Sequence, residues 1–195
     1  NNYVDFSDNL TGSFSISMRL YLRSAGGGGN YIVSTGSYGS NFHMSWGYDI
    51  IGLNMGNNQS KDFKIGLTSE FAWFRLNVIY NESDLSVKVV SYKEGTTDKF
   101  EETWTLTKPA LFGGNSKYSF TVGAQSHLGG WDDCHASCDD DKSIYPNVSD
   151  LRVYSGAIDE AEIADILQYD QDKLNQQEKP TFEVKPISAW NFADS

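Results

Sequence analysis

Apolar and polar residues alternate along Ser13 to Leu22, and this period of two constrains the chain more than any other feature. Phe14, Ile16, Met18, Leu20 and Leu22 form one set, and Ser15, Ser17, Arg19 and Tyr21 the other. Only an extended strand puts such sets on opposite faces. The pattern returns in Phe74, Leu76, Val78 and Tyr80, and in Leu85, Val87 and Val89. Thr103 to Leu106, Tyr118 to Val122, Asp150 to Tyr154 and Phe182 to Val184 are further strand candidates. Clusters at Gly26 to Asn30, Gly56 to Ser60, Asn81 to Asp84 and Gly113 to Ser116 punctuate these runs with turn-forming residues. Short alternating strands separated this way predict an all-β sandwich or barrel.

One helix is predicted, from about Asp159 to Tyr169, to lie across an edge or mouth of the sandwich. Asp159 and Glu162 make a D-x-x-E capping pattern, and Ile163, Ile166 and Leu167 share one face. The polar stretch from Asp170 to Lys179 reads as a connecting loop. The expected organisation is one domain over residues 1–170. Residues 171–195 then supply a polar connector and a C-terminal strand.

A length of 195 residues suffices for a substantial core without help from its two cysteines. The net charge of −11 argues against nucleic acid, whose phosphates need clustered Lys and Arg, and against an anionic membrane surface. It is compatible with cations and with neutral ligands such as glycans. No stretch approaches the roughly 18 consecutive apolar residues of a membrane helix. The chain has no initiating Met and no signal peptide, and the expectation is a piece processed or excised from a longer, multidomain precursor. Sequons at Asn9, Asn58, Asn81 and Asn147 fit a secretory route, although a chain this rich in Asn, Ser and Thr supplies some by chance.

The segment NVSDLRVYSGAIDEAEIADIL, Asn147 to Leu167, joins a strand carrying Asp-x-x-x-Tyr to a turn and a capped helix. It resembles the closing signature of laminin-G-like (concanavalin-like) domains. YVDFSDNLTGSFSISMRLYLRS, Tyr3 to Ser24, is similar to their first strand pair. EFAWFRLNVIYN, Glu70 to Asn81, resembles their central strand, and SFTVGAQ, Ser119 to Gln125, the strand before their variable loop. The matches run in family order along Tyr3 to Leu167. The chain departs from the family at Val89 to Gly95, which reads VVSYKEG where many relatives have Tyr-Val-Asp-Gly. The resemblance implies a two-sheet antiparallel jelly-roll sandwich acting outside the cell as a carbohydrate-binding or adhesive module, often with a structural calcium. ISAWNFADS, Ile187 to Ser195, resembles the strand with which such domains begin. It is expected to complete this sandwich by pairing near Tyr3 to Phe6; the alternative is that it opens a second copy.

Catalysis finds little support. The E-x-D-x-x-E strand of concanavalin-like glucanases has its nearest counterpart in Ala157 to Glu162, where Ala157 replaces the first glutamate and the segment enters a helix. No G-x-S-x-G elbow accompanies His43, His127 or His135, and Gly26 to Gly29 lacks the Lys-Ser/Thr of a phosphate loop.

The richest segment is HLGGWDDCHASCDDDK, His127 to Lys142. Trp131, between glycines and aspartates, has no strand pattern to bury it. Its ring face suits a pyranose, with Asp132 and His127 available to hydroxyls. Folding back over the core edge is the competing role. Asp133, Asp139, Asp140 and Asp141 offer hard oxygen ligands for calcium, against which stands a merely solvated acidic loop. Cys134 and Cys138 are read as a local disulfide; a zinc site with His135 would need a fourth ligand and reduced thiols. Trp46 and Tyr48 form a second aromatic group around Gly47, where the alternation Phe42, Met44, Trp46, Tyr48 also fits a packed strand face. Trp73 and Trp104 read as core or sheet-face residues.

The sequence therefore points to an all-β, secreted or cell-surface, non-catalytic glycan-binding domain, with calcium as the expected cofactor. The partner is a glycan or glycoconjugate, or a second protein if the domain is an adhesion module, without nucleic acid or membrane insertion. A polysaccharide hydrolase or lyase is the third reading.

Overall fold

The period-two runs become neighbouring strands in the middle of one antiparallel sheet, which packs against a second. The computed structural model describes residues 3–4, 12–22, 30–34, 42–47, 50–65, 72–111, 120–122, 147–174 and 188–190. In chain order the strands are β1 (Tyr3–Val4), β2 (Phe14–Leu22), β3 (Asn30–Ser34), β4 (Phe42–Gly47), β5 (Ile50–Met55) and β6 (Ser60–Lys64). They continue with β7 (Ala72–Asn81), β8 (Ser86–Lys93), β9 (Lys99–Thr105), β10 (Phe120–Val122) and β11 (Asn147–Tyr154), then helix α1 (Glu160–Leu174) and β12 (Ser188–Trp190). One sheet runs β1-β10-β3-β4-β5-β6 and the other β12-β11-β2-β7-β8-β9.

The apolar sets of the two sheets meet in one core. Phe14, Ile16, Met18 and Leu20 of β2 pack with Phe74, Leu76, Val78 and Tyr80 of β7 against Phe42, Met44, Trp46, Ile51, Leu53, Met55 and Phe63 of the facing sheet. Phe14 bridges the sheets: its ring stands edge-on to Phe42 at 5.8 Å, and Tyr80 lies 5.3 Å away within its own sheet. Edge-to-face geometry suits the opposite charge of ring rim and ring face.

The β5–β6 hairpin turns through Gly56 to Gln59. Asn57 and Asn58 both take positive φ, 53° and 57°, and the Gln59 amide donates to the Gly56 carbonyl at 2.9 Å. Two successive residues of this kind make a type I′ turn, whose twist matches the strands it joins. Gln59 then staples the sheets. Its side-chain oxygen accepts from the Thr107 amide at 2.8 Å and the Lys108 amide at 3.0 Å, while its amide group donates to the Lys108 carbonyl at 3.0 Å.

Three expectations need correction. Helix α1 runs to Leu174 rather than ending at Tyr169, so Asp170 is helical and not part of a connector. The helix lies on the outer face of the second sheet rather than at an edge or mouth. Ile163 and Ile166 bury there against Ile79 and Tyr154, on faces opposite the main core. β12 pairs with β11, through Leu151 opposite Trp190, and not with Tyr3–Val4, which pairs with β10. Phe182 to Val184 lies outside the described residues. The helix start keeps its capping box: the Glu162 amide donates to Asp159 Oδ1 and the Asp159 amide to Glu162 Oε2, both at 2.9 Å.

Phe14 carries the contact between sheets, so Phe14→Ala should destabilise the domain by about 3–5 kcal/mol. Urea unfolding should show this as a lower midpoint with an unchanged slope; a slope that falls instead would mean the variant loses its two-state core.

Candidate functional site

Strand register fixes the end of the sandwich from which each connection leaves. In the second sheet, Leu22 lies opposite Ala72, and Tyr21 is flanked by Trp73 and Asn147. Residues 23–29 join Leu22 to Asn30, and residues 66–71 join Ile65 to Ala72. Gln59, at the tip of the β5–β6 hairpin, accepts from Thr107 and Lys108 just beyond β9, whose Thr105 pairs with Ser86 and so marks the Asn81 end of β7. Asn30 and Ile50, at the opposite end of the first sheet, therefore lie at the same end as Leu22 and Ala72. β10 is antiparallel to β3, Val122 facing Val33 as the chain heads toward Asn30. Residues 123–146 thus connect strand ends Val122 and Asn147, both pointing to this end.

That segment contains most of the expected ligand and metal residues. Trp131, Asp132, His127, Asp133, Asp139, Asp140, Asp141, Cys134 and Cys138, and Tyr48 in the β4–β5 turn, lie outside the described residues. Trp46 is placed: it is 2% exposed and belongs to the core. Its place on the inward face of β4 gives it a packing role and leaves no ring surface for a solute. Among the described residues, no three His, Cys, Asp or Glu side chains gather to hold a metal.

An aromatic and charged cluster borders this end on the outer face of the second sheet. Tyr21 and Trp73, cross-strand neighbours, hold their rings 5.2 Å apart. The Arg19 guanidinium lies 4.2 Å over the Trp73 ring and clamps the Glu94 carboxylate, with Nη2 to Oε2 at 2.7 Å and Nε to Oε1 closing the fork. A cation over an indole with its counter-ion in place is a satisfied arrangement. Arg19 occupies one ring face of Trp73, so this residue stands as a sheet-face anchor. Trp104 packs half-buried against the core.

Beneath α1 lies a network the sequence did not announce. Arg75 is fully buried and spends all five N–H groups. Nε donates to Asp170 Oδ2 at 2.7 Å, and Nη2 to Asp170 Oδ1 and to Asp150 Oδ2, the latter at 2.7 Å. Nη1 donates to the Asp150 carbonyl at 3.1 Å and to Ser17 Oγ at 3.4 Å. Arg152 adds a second cation, its Nε donating to Asp150 Oδ1 at 3.0 Å. Asp150 reaches both arginines because it sits in a break of register in β11 with φ 48°. Burial opposes a charged carboxyl there, but Arg75 and Arg152 outweigh it and hold Asp150 below the usual carboxylate range. Burial likewise opposes a charged Arg75, yet Asp170 and Asp150 keep it firmly ionised.

A shallow depression opens above this network, between Tyr92, Glu94 and Thr96 on one side and Leu167 and Gln171 on the other. Its floor is Arg75 and Asp170, whose side chains are already engaged in the network. Asp150, held low by Arg75 and Arg152, is also unsuited to acid–base work. The network is a lock between sheet and helix. One signal could have exposed it: Arg75 and Asn77 interrupt the outward face of a strand flanked throughout by bulky apolar residues.

No family model and no curated protein matches the chain. Solved structures do. A native heptameric SAP-like pentraxin from Limulus polyphemus superposes with a TM-score of 0.62 at 16% identity, over 97% of this chain and 83% of that one. The botulinum neurotoxin serotype D binding domain gives 0.57 at 13% identity, over 85% of this chain but only 39% of its own. The neurotoxin DC binding domain in complex with SialylT gives 0.52 at 13%, over 80% and 35%. These likenesses show the fold, a two-sheet antiparallel jelly-roll sandwich.

Removing one partner from the lock leaves a buried charge uncompensated. Asp170→Asn should cost about 3–5 kcal/mol and loosen α1, read by urea unfolding and by faster amide exchange in residues 160–174. The pH dependence follows from Asp150. Its folded pKa is lowered, so its contribution is fully present above the unfolded value of about 3.9 and is lost as pH falls through the folded one. Stability should fall on acidification below about pH 4, and a flat profile there would contradict the network.

Proposed function

We propose that the chain is a non-catalytic, extracellular carbohydrate-binding module whose ligand site is built at the end of the sandwich marked by Leu22 and Ala72. The observation that carries this reading is the departure of residues 123–146 from Val122 and Asn147 at that end. Loops on a rigid β scaffold are where binding residues concentrate. Trp131 supplies the ring face for a pyranose, with Asp132 and His127 taking hydroxyls. Asp133, Asp139, Asp140 and Asp141 would hold a calcium ion, whose chemistry there is to neutralise the carboxylates and stiffen the segment, lowering the ordering cost of binding. The Cys134–Cys138 bridge would tighten the same segment. Single sites of this kind bind weakly, so the domain would act in several copies or tethered to further domains.

The likeness to a toxin binding domain solved with SialylT supports a glycan ligand, while the same domain is also known with rat synaptotagmin II. A protein partner is therefore the second reading. It fits less well with the described surface, where Leu111 is the one exposed large hydrophobic residue and edge strand β9 carries Lys99 and Glu101 outward. A hydrolase would need an open carboxylate pair about 5 Å apart. Asp150 and Asp170, which share Arg75, are buried and neutralised.

The test is saturable binding of the purified chain to a broad panel of immobilised glycans in calcium buffer. Trp131→Ala should abolish binding while leaving the unfolding midpoint unchanged, and a chelator should weaken it. A blank panel from folded protein would move the reading to a protein partner. Binding that survives Trp131→Ala would place the site elsewhere.

A further inference from the structure

We infer that Asn58 is an N-glycan acceptor, carrying its glycan at the end of the sandwich opposite the proposed ligand site. The inference rests on the extracellular part of the reading above, and its outcome is separable from glycan binding. Asn58-Gln59-Ser60 is an N-x-S sequon, and the attached glycan must stand in solvent.

Four sequons differ sharply in what surrounds them. Asn9 lies outside the described residues. Asn147 begins β11, and its sequon hydroxyl, Ser149, is buried at 3% exposure. Asn81 is half-buried and serves the fold: its Oδ1 accepts from the Ser83 amide at 3.1 Å and the Ser83 hydroxyl at 2.9 Å, closing the β7–β8 turn. Asn58 alone among the described sequons has both its Asn and its Ser exposed. It occupies the second central position of the type I′ turn, and its side chain makes no hydrogen bond to a described residue. Its neighbour Asn57 does the anchoring instead, donating to the Pro109 carbonyl at 3.0 Å, and Gln59 turns inward to Thr107 and Lys108. The turn is held by the residues on either side, which leaves the Asn58 amide free to carry a substituent without breaking a contact.

The turn also lies at the right place. β5 runs from Ile50, at the end shared with Leu22 and Ala72, to Met55, so the hairpin tip stands at the far end of the sheet. A bulky glycan there stands away from the strand ends Val122 and Asn147, between which the proposed ligand segment runs. The reaction is a transfer from an oligosaccharide carried on a lipid diphosphate, the co-reactant of the host transferase. Asn58 Nδ2 forms the bond to the sugar C1, the C1–O bond to the diphosphate breaks, and the amide proton leaves to a transferase base.

The test is secretion of the full chain from a eukaryotic host, followed by enzymatic release of N-glycans with isotopic marking of the acceptor Asn and mass spectrometry of its peptides. The expected result is marking of the Asn58 peptide and loss of one glycan's mass in Asn58→Gln. Ser60→Ala, which keeps Asn58 and removes the sequon, should lose the same mass, so a folding defect peculiar to one variant is distinguished from loss of the acceptor. An unmarked Asn58 peptide, whether from the medium or from chain retained within the secretory compartment, overturns the inference. Glycan-panel binding by the same secreted protein should match that of bacterially made protein. A blank panel with Asn58 occupied sinks the binding function alone; binding with Asn58 bare sinks the modification alone.

Discussion

Everything on the outer face of the second sheet depends on one buried cation. A guanidinium taken out of water is costly unless its charge and all its donors are met, and Arg75 is met from three directions at once. Ser17 comes from the neighbouring strand, Asp150 from a break in the register of β11, and Asp170 from the last turns of α1. Its partners lie up to 95 positions away from it along the chain. Such an arrangement adds less net stability than an apolar plug of the same size could. It does discriminate, because any helix placement that moves Asp170 away leaves the charge stranded. The cost of a wrong docking, more than the worth of the right one, fixes where α1 sits.

That placement makes the two sheets unequal. β7 is buried along nearly its whole length, with Phe74, Leu76 and Val78 in the main core and Arg75, Asn77 and Ile79 beneath the helix. A strand covered on both faces loses the simple apolar–polar alternation of a half-exposed one. The helix covers part of this face, and the Arg19–Trp73–Tyr21 cluster continues it toward Leu22 and Ala72. The sheet beneath the proposed site is thus stiffened from both sides, the condition under which loops can carry a defined geometry.

How far the sequence revealed this depends on how local each cause is. Alternation in β2 is written in nine consecutive residues and was legible, as were the capping box of α1 and the turn at Gly56 to Gln59. β5 and β6 were not. Ile50–Met55 carries a glycine at its centre and an apolar Ile50 on the outward face, and Ser60–Lys64 has Phe63 as its one apolar residue. Gly52 has a local reason invisible in one dimension: a Cβ there would stand 2.7 Å from Ser45 Oγ on the next strand. Helix α1 was cut short because Asp170 and Gln171 look like loop residues until Arg75 is seen beneath them. The expected site residues in 123–146 follow from residue chemistry alone, and the strand ends add only the place from which they depart.

Charge links the two halves of the molecule. Asp150 and Asp170 are cancelled by Arg75 and Arg152, so of 26 acidic and 15 basic residues the remaining 24 and 13 still leave −11, and that excess falls outside the lock. Five of those acids crowd between Asp132 and Asp141. On the proposed reading this sets the ligand's character. An anionic sugar would approach against the field of the whole domain and of the loop that is to receive it, while a neutral one would meet no such barrier. A bound divalent cation changes the balance locally, since it neutralises two carboxylates and offers a positive centre to a hydroxyl or a carboxylate alike. The fold leaves the choice between those ligands to the short acidic segment at its end, and a sandwich locked elsewhere by its own buried charges can tolerate that segment's variation.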